Sequence, residues 1–233
     1  MHPQLWADPP PRCSFARTMT ETARVVFYRG ECRAAEQIAR TLFGKRLEPG
    51  DYAGLTGAPD NAVVEVGTLG RGLYLDMHEP VANSYRAVRL VCRIPAGVIV
   101  VNDGFHIHLS GAQRHGLGLS IFRRQLAHAK TLGTTGIVAR AGRRIMENGY
   151  YTWPRFGFGG PLPQAIRTAL PAHLHHAKDV LDLFESVEGR RWWQQFGTTI
   201  SVRFDLTDGS RSWQVFERYL RERGGGSSVV PHN

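Results

Sequence analysis

Gln113-Arg114-His115-Gly116-Leu117-Gly118 is the stretch that decides the fold, because it joins an alternating apolar run to a helical pattern. The run before it, Gly104-Phe105-His106-Ile107-His108-Leu109, alternates as a β-strand does. Apolar residues then share one helical face: Leu119, Phe122, Leu126 and Ala129. Gly136-Ile137-Val138-Ala139 is typical of a second strand. The sequence therefore predicts a strand, a glycine turn, a helix and a strand in succession.

Two glycines at the start of a helix let the backbone approach a ligand closely. The first N–H groups of a helix have no partner within it, and the helix dipole is positive at this end. Phosphate or pyrophosphate is a ligand that such a turn suits. From the spacing alone, an ordinary glycine-containing turn before a helix is an equally good interpretation.

The stretch resembles the pyrophosphate loop of the GNAT acyltransferase superfamily, which reads Gln/Arg-x-x-Gly-x-Gly/Ala between a strand and a helix. Residues 113 to 118 match this pattern at every specified position. The superfamily has a short Asn-containing helix after the next strand and then Tyr-x-x-x-Gly-Phe. Asn148 to Phe158 fits that order and ends in Gly-Phe, but Trp153 stands where the family usually has Tyr. The resemblance is strongest from Val98 to Phe158 and is absent after about Ala165.

This resemblance implies an α+β (mixed α/β) fold, in which a GNAT-like central, mostly antiparallel sheet is flanked by helices. The patterns that follow it predict a C-terminal helix-strand-helix extension. We expect residues 1–20 to form an irregular N-terminal arm and residues 21–165 an acyl-CoA-binding domain. Residues 166–223 are predicted to be an extension packed on that domain, since alone they are too few for a robust core. Residues 224–233 are predicted to be a disordered tail.

Local patterns in the N-terminal half predict further elements. A β-rich run from Ala23 to Tyr28 precedes a helix from Arg33 to Phe43, which Gly44 ends. Leu47 to Asn61 is dense in Gly, Pro and Asp and is predicted to be a loop. Four strands are then expected as two antiparallel pairs: Ala62–Val66 with Leu73–Asp76, and Ser84–Ile94 with Val98–Val101.

In the C-terminal part, Leu174 to Glu185 is predicted to be helical, and Thr199 to Leu206 alternates as a strand does. A last helix is expected from Ser210 to Arg223, with three inward residues: Trp213, Phe216 and Leu220.

Composition narrows the classes of protein that this chain can be. It has 233 residues, of which 42% are hydrophobic, enough for a sizeable core. No apolar run approaches the roughly 20 residues of a membrane span, and the N-terminus lacks the apolar core of a signal peptide, so we expect a cytoplasmic location. Three widely spaced cysteines, Cys13, Cys32 and Cys92, form no metal-binding pattern, so we predict buried free thiols and no metal.

The chain is basic, with a formal net charge of +9. From Gly111 to Arg155 there are eight lysines and arginines against one acid, Glu147. Such a local excess attracts anions. Coenzyme A accounts for it through its pyrophosphate and 3′-phosphate. Nucleic acid is compatible with the charge too, but no helix-turn-helix, finger or other nucleic-acid-binding module is visible.

The resemblance implies that acetyl-CoA or a longer acyl-CoA is the co-substrate, with its pyrophosphate on backbone N–H groups of the loop. The residues implied to bind it are Gln113, Arg114, His115, Gly116, Leu117, Gly118, Leu119 and Arg123. The acyl group would pass to an amine or a similar nucleophile by direct attack, since no placed cysteine suggests a covalent intermediate. The acceptor and the oligomeric state are not readable from the sequence.

Acyl transfer to an amine needs a general base and an acid for the departing thiolate. The Glu and the Tyr that many members of the superfamily use are not plainly present. We predict His106 and His108, on one face of their strand, as the base, and Tyr151 as the acid. Four residues are candidates to contact the acceptor: Arg71, Tyr150, Trp153 and Arg155.

Two alternatives stay open. The missing Glu and Tyr are compatible with a catalytically inactive GNAT-like binding module. An NAD-dependent ADP-ribosyltransferase is faintly indicated by three segments, Phe27 to Gly30, Gly72 to Leu75 and Ala82 to Tyr85, although the Glu-x-Glu that such enzymes commonly use is missing.

Overall fold

The structure is a computed structural model that describes residues 23–107, 116–144 and 147–223. The predicted N-terminal arm (residues 1–20) and C-terminal tail (residues 224–233) lie outside the described residues. The chain divides into two compact units. The first falls within Met1–Arg93 and Gly104–Leu132, and the second within Ile94–Asp103 and Gly133–Asn233.

The first unit contains the N-terminal strands and three helices. In chain order these elements are β1 (Arg24–Phe27), α1 (Cys32–Phe43), α2 (Pro49–Thr56), β2 (Val63–Leu69), β3 (Gly72–His78), β4 (Tyr85–Ile94, whose last residue belongs to the second unit), β5 (Gly97–Ile107, which begins in the second unit) and α3 (Leu117–Thr131).

The second unit contains the remaining described strands and helices. Its elements are β6 (Gly136–Ala141), β7 (Arg143–Arg144), β8 (Glu147–Asn148), α4 (Gly149–Arg155), α5 (Gln164–Ala169), a 3₁₀ turn (Ala172–Leu174), α6 (Val180–Phe184), α7 (Val187–Phe196), β9 (Ile200–Asp205) and α8 (Arg211–Glu222). Among the described helices, none is long and apolar enough to cross a membrane.

Hydrogen bonds join seven strands in the order β1-β2-β3-β4-β5-β6-β9. β1 is parallel to β2 and β5 is parallel to β6, whereas β3 is antiparallel to both β2 and β4, and β9 is antiparallel to β6. The fold is therefore mixed α+β, with a mostly antiparallel sheet flanked by helices, which confirms the predicted class at this level. The segment predicted as a C-terminal extension supplies the edge strand β9.

Several predicted elements are confirmed with small changes of boundary. Helix α1 ends where Gly44 adopts a left-handed conformation (φ 70°) and returns its N–H to the Arg40 carbonyl. Strands β2 and β3 form the predicted hairpin, turning at Gly70 and Arg71. Strand β5 is longer than expected, because the runs predicted from Val98 and from Gly104 are one continuous strand.

The prediction of a loop from Leu47 to Asn61 is wrong, because helix α2 occupies its middle. Pro49 lies at the first helical position, where its missing N–H costs nothing and its fixed φ suits the helix. Glu48 and Asp51 form a reciprocal capping box, and left-handed Gly57 ends the helix. The Pro, Asp and Gly residues that indicated a loop are the start and stop signals of a short helix.

The C-terminal predictions need two corrections. Leu174 to Glu185 is not one helix: the chain leaves the 3₁₀ turn and begins again at α6, where Asp179 caps the new helix through the Leu181 N–H. In α8 the buried residues are Ser212, Val215, Phe216 and Tyr219, so the inward face is rotated from the predicted one. Trp213 and Leu220 are only half-buried.

Candidate functional site

The start of helix α3 is a glycine turn open to a ligand. Gly116 is the N-cap residue with φ 77°, a left-handed conformation that favours glycine. A Cβ built on Gly116 would meet no described residue within 4 Å. A Cβ on Gly118 would lie 3.2 Å from the Phe105 ring, so this glycine lets the helix approach strand β5. The first-turn N–H groups have no partner within the helix, as an anion site requires.

The residues predicted to bind the cofactor are only partly placed. Gln113, Arg114 and His115 lie outside the described residues, as does the predicted base His108. Leu117, Gly118 and Leu119 form the first turn of α3. Arg123 lies one turn further along and is half-buried. The structure thus places the glycine turn and the helix, and the roles of these residues stay predictions.

The strands of the first unit have two unlike faces. One face is apolar and packs against helices: Phe27 on β1 contacts the Tyr52 ring of α2 at 5.5 Å, and the cross-strand partners Val66 and Leu75 are fully buried. Residues on the opposite face alternate with these along each strand. We call this opposite side the polar face. Its residues include Tyr28, Glu65, Tyr74, Asp76, Arg86 and His106, together with His78, Val88 and Leu90.

A charged pair anchors the polar face. Arg86 makes a bidentate salt bridge to Asp76, with Nε 3.0 Å from Oδ1 and Nη2 2.5 Å from Oδ2. The Asp76 side chain is only 2% exposed, whereas that of Arg86 is 36% exposed. The hydrogen bonds to Asp76 raise the pKa of Arg86, which stays positively charged. Glu65 is the direct cross-strand partner of Asp76, so two carboxylates lie side by side.

Two tyrosines lie beside these carboxylates. Tyr28 donates its hydroxyl to Glu65 Oε2 at 3.2 Å, and the Tyr28 and Tyr74 ring centroids are 6.2 Å apart. Burial, and then the negative charge of Glu65, raise the pKa of Tyr28, so it stays a hydrogen-bond donor at neutral pH. Glu65 is a half-exposed carboxylate beside a tyrosine, and such a group can attract a protonated amine.

His106 belongs to the polar face by its position in β5. Its neighbours Phe105 and Ile107 are both within 4 Å of a Cβ built on Gly118, so they point toward α3. The residue between them points to the other side of the strand, and His106 is exposed there. The predicted base therefore shares a face with Glu65 and Asp76.

A buried arginine supports β5 from the apolar face. Arg89 is 1% exposed and donates from Nη1 to the carbonyls of Gly104 (2.8 Å) and Val88 (3.0 Å). Its Nε has no hydrogen-bond partner among the described residues. Burial lowers the pKa of Arg89 to about 9. The guanidinium also lies 5.7 Å from the centroid of the Phe105 ring, so it holds the segment that leads to the glycine turn.

The remaining predicted residues belong to the second unit, except Arg71, which is exposed at the β2–β3 turn. Tyr150 is committed to packing: its hydroxyl donates to the Gln194 carbonyl at 2.8 Å, and its own carbonyl accepts from Trp193 Nε1. Trp153 packs its ring 4.8 Å from that of Phe158. The predicted acid Tyr151 is half-buried beside Phe184, and Arg155 lies over its ring.

Metal and thiol chemistry find little support in the part of the chain that the structure describes. No group of three or more His, Cys, Asp or Glu residues there could hold a metal ion. Cys32 and Cys92 are in no disulfide among the described residues and are only half-buried, which corrects the prediction of buried thiols. Burial raises the pKa of Cys92, so it is a poor nucleophile at neutral pH. Cys13 lies outside the described residues.

Five residues of the polar face were missed from the sequence as a site: Tyr28, Glu65, Tyr74, Asp76 and Arg86. A signal exists, since Glu65 and Asp76 are single acids within apolar strands. Only the strand register brings them together. Two of the three segments that faintly indicate an ADP-ribosyltransferase contain Tyr28 and Tyr74, and both tyrosines lie on this polar face.

Comparison of the chain with models of known protein families and with curated proteins finds no match.

Proposed function

We propose that this chain is an acyl-CoA-dependent N-acyltransferase of the GNAT type. The observation that carries the proposal is left-handed Gly116, which opens helix α3, the next described helix after β5, with no described residue where a side chain would stand. This geometry suits the pyrophosphate of CoA on the first N–H groups of α3. Acetyl-CoA or a longer acyl-CoA would be the co-substrate.

The order of elements around this turn supports the proposal. The strand that follows α3, β6, is parallel to β5. Helix α4 then begins directly after Asn148 and is followed by Phe156-Gly157-Phe158, as the resemblance to the superfamily implies. Asn148 occupies the N-cap position without a side-chain capping bond.

The polar face supports an amine as the acceptor. Glu65 is a half-exposed carboxylate beside the Asp76–Arg86 salt bridge, and its negative charge attracts a protonated amine. His106 first takes a proton from this ammonium group, which frees the nitrogen lone pair, and the neutral amine then attacks the thioester carbonyl carbon. The tetrahedral intermediate expels the CoA thiolate, which takes up a proton, so that an amide and free CoA are released.

Amine-dependent release of free thiol from acetyl-CoA tests the proposal, with a panel of small amines, polyamines and lysine-containing peptides. We expect release by the native protein, and His106→Gln to lower kcat by about 10²–10⁴-fold and to remove the acid limb of its pH profile. Glu65→Gln should instead raise KM for the amine. Arg40→Gln, at an exposed position of helix α1, is a matched control that should leave both constants unchanged.

A protein that binds CoA tightly but releases no thiol with any amine would favour the alternative of an inactive binding module. A protein that neither binds CoA nor releases thiol would contradict the proposal.

A further inference from the structure

Arg155, the last residue of α4, is held between two tyrosine rings of the second unit. Its Cζ lies 5.5 Å from the Tyr151 ring centroid and 5.1 Å from that of Tyr219. Stacking of this kind covers the faces of a guanidinium and leaves its N–H donors at the edge.

Both rings are themselves fixed by packing. The Tyr151 ring lies 5.6 Å from that of Phe184. Tyr219 is only 7% exposed and lies 5.1 Å from the Phe156 ring. Packing against phenylalanine therefore restrains both tyrosine rings, and these rings restrain the Arg155 guanidinium beside them.

Within residues 23–107, 116–144 and 147–223, the side-chain donors of this cluster have no hydrogen-bond partner. Neither the Arg155 guanidinium nor the hydroxyls of Tyr151 and Tyr219 hydrogen-bond to a described residue, and Arg155 forms no salt bridge to one. Arg155 is half-exposed, so its donors are accessible.

Arg143 shows what a purely structural arginine looks like in the same unit. It also lies over a tyrosine ring, with Cζ 4.9 Å from the Tyr150 centroid. Unlike Arg155, its guanidinium donates hydrogen bonds to the backbone carbonyls of Gly197 and Gln195. Both arginines stack on tyrosine rings. They differ because Arg143 donates to backbone carbonyls, whereas Arg155 donates to no described residue.

A second cation lies against the same ring. The Arg223 Cζ is 5.4 Å from the Tyr219 centroid, and no described carboxylate forms a salt bridge with it. Two guanidinium groups near one ring make this part of the second unit positively charged, which favours an anion.

We propose that Arg155 and Arg223, with the hydroxyls of Tyr151 and Tyr219, form a binding site for an oxyanion, the phosphate or carboxylate group of a ligand. Arg155 binds two of its oxygens through parallel N–H donors, as guanidinium does with both groups. This site rests on residues of the second unit alone and does not depend on acyl-CoA binding at α3.

Titration of the full chain, labelled with ¹⁵N, tests the site directly through the side-chain Nε–H signals of arginine. Inorganic phosphate and succinate are added separately at constant ionic strength, and Arg155→Lys, Arg143→Lys and Arg223→Lys identify the three signals. We expect the Arg155 signal to shift and saturate with one or both anions, while the Arg143 signal stays in place. The anion that saturates it identifies the group that the site takes.

Matched variants complete the test, each first checked for folding by circular dichroism. We expect Arg155→Lys to weaken binding about tenfold or more, measured on the Arg223 signal, because a point charge cannot replace two parallel donors. Arg143→Lys should leave the affinity unchanged. Linear shifts without saturation for both anions, or equal loss of affinity in the two variants, would overturn the proposal.

Discussion

The two faces of strands β2, β3 and β4 differ in what holds them together. On the helix-covered face, Leu75 and its cross-strand neighbour Val66 are fully buried and are stabilised by non-directional burial of apolar area. One residue away along the same strands, Asp76 and Glu65 lie on the polar face, where direction and charge decide the contacts. A single step along a strand therefore separates residues that make the fold from residues suited to bind a ligand.

Alanine substitutions at neighbouring positions of β3 test this difference most strongly. Leu75→Ala should lower the free energy of unfolding by about 2–5 kcal/mol, because it leaves a cavity in a closed core. Tyr74→Ala should lower it by about 1 kcal/mol or less, since the ring is half-exposed. Urea unfolding of both variants measures the contrast. Equal losses would show that the polar face is as much a part of the core as the helix-covered face.

Removing Arg86 tests the charged pair within the polar face. Arg86→Ala leaves the buried Asp76 carboxylate without its partner, and we expect a loss of about 1–3 kcal/mol at neutral pH, below the value for a fully buried pair because Arg86 is partly exposed. Arg46→Ala is the matched control, since its salt bridge with Glu36 is on the surface and should contribute under about 0.5 kcal/mol. Similar small losses in both variants would contradict a buried anchor.

Acid should destabilise the turn between β3 and β4, in which Glu79 lies. Backbone N–H groups, first that of Val81 and also that of Ala82, donate to the Glu79 carboxylate and hold its pKa below the ordinary value of 4.5. A lowered folded-state pKa means that Glu79 stabilises the fold above that pH, and that this contribution is lost as the pH falls through the folded pKa.

The smallest effect is therefore expected for Glu79→Gln in acid. The variant's free energy of unfolding should vary less with pH below about 4.5 than that of the native chain. Urea unfolding across the acid range measures both slopes. Parallel curves would mean that Glu79 does not contribute to the acid sensitivity of the protein.

Local signals predicted most elements because each depends on neighbouring residues. Gly44 stops α1, and alternation alone identifies β4. The sequence does not clearly predict helix α2, because proline and glycine are also common in loops. Pro49 at the first helical position and Gly57 after the last helical residue nevertheless favour a short helix.

The candidate sites were harder to predict, because they depend on tertiary contacts. The sequence placed Gly116 at a strand-to-helix turn, since that feature is local. The pairing of Glu65 with Asp76 depends on strand register, and the stacking of Arg155 on Tyr219 depends on how α8 packs against α4. No spacing rule reaches across either distance.

Calorimetric titration with acetyl-CoA tests the central claim most directly, using the native chain, Gly116→Trp and Gly116→Asn. Asn tolerates the left-handed conformation and adds a small side chain, whereas Trp covers the first turn of α3 with an indole. Circular dichroism first confirms that both variants fold. We predict saturable binding by the native chain and the Asn variant and its loss in the Trp variant. Absence of binding by the folded native chain, or undiminished binding by the Trp variant, would contradict a CoA site at Gly116.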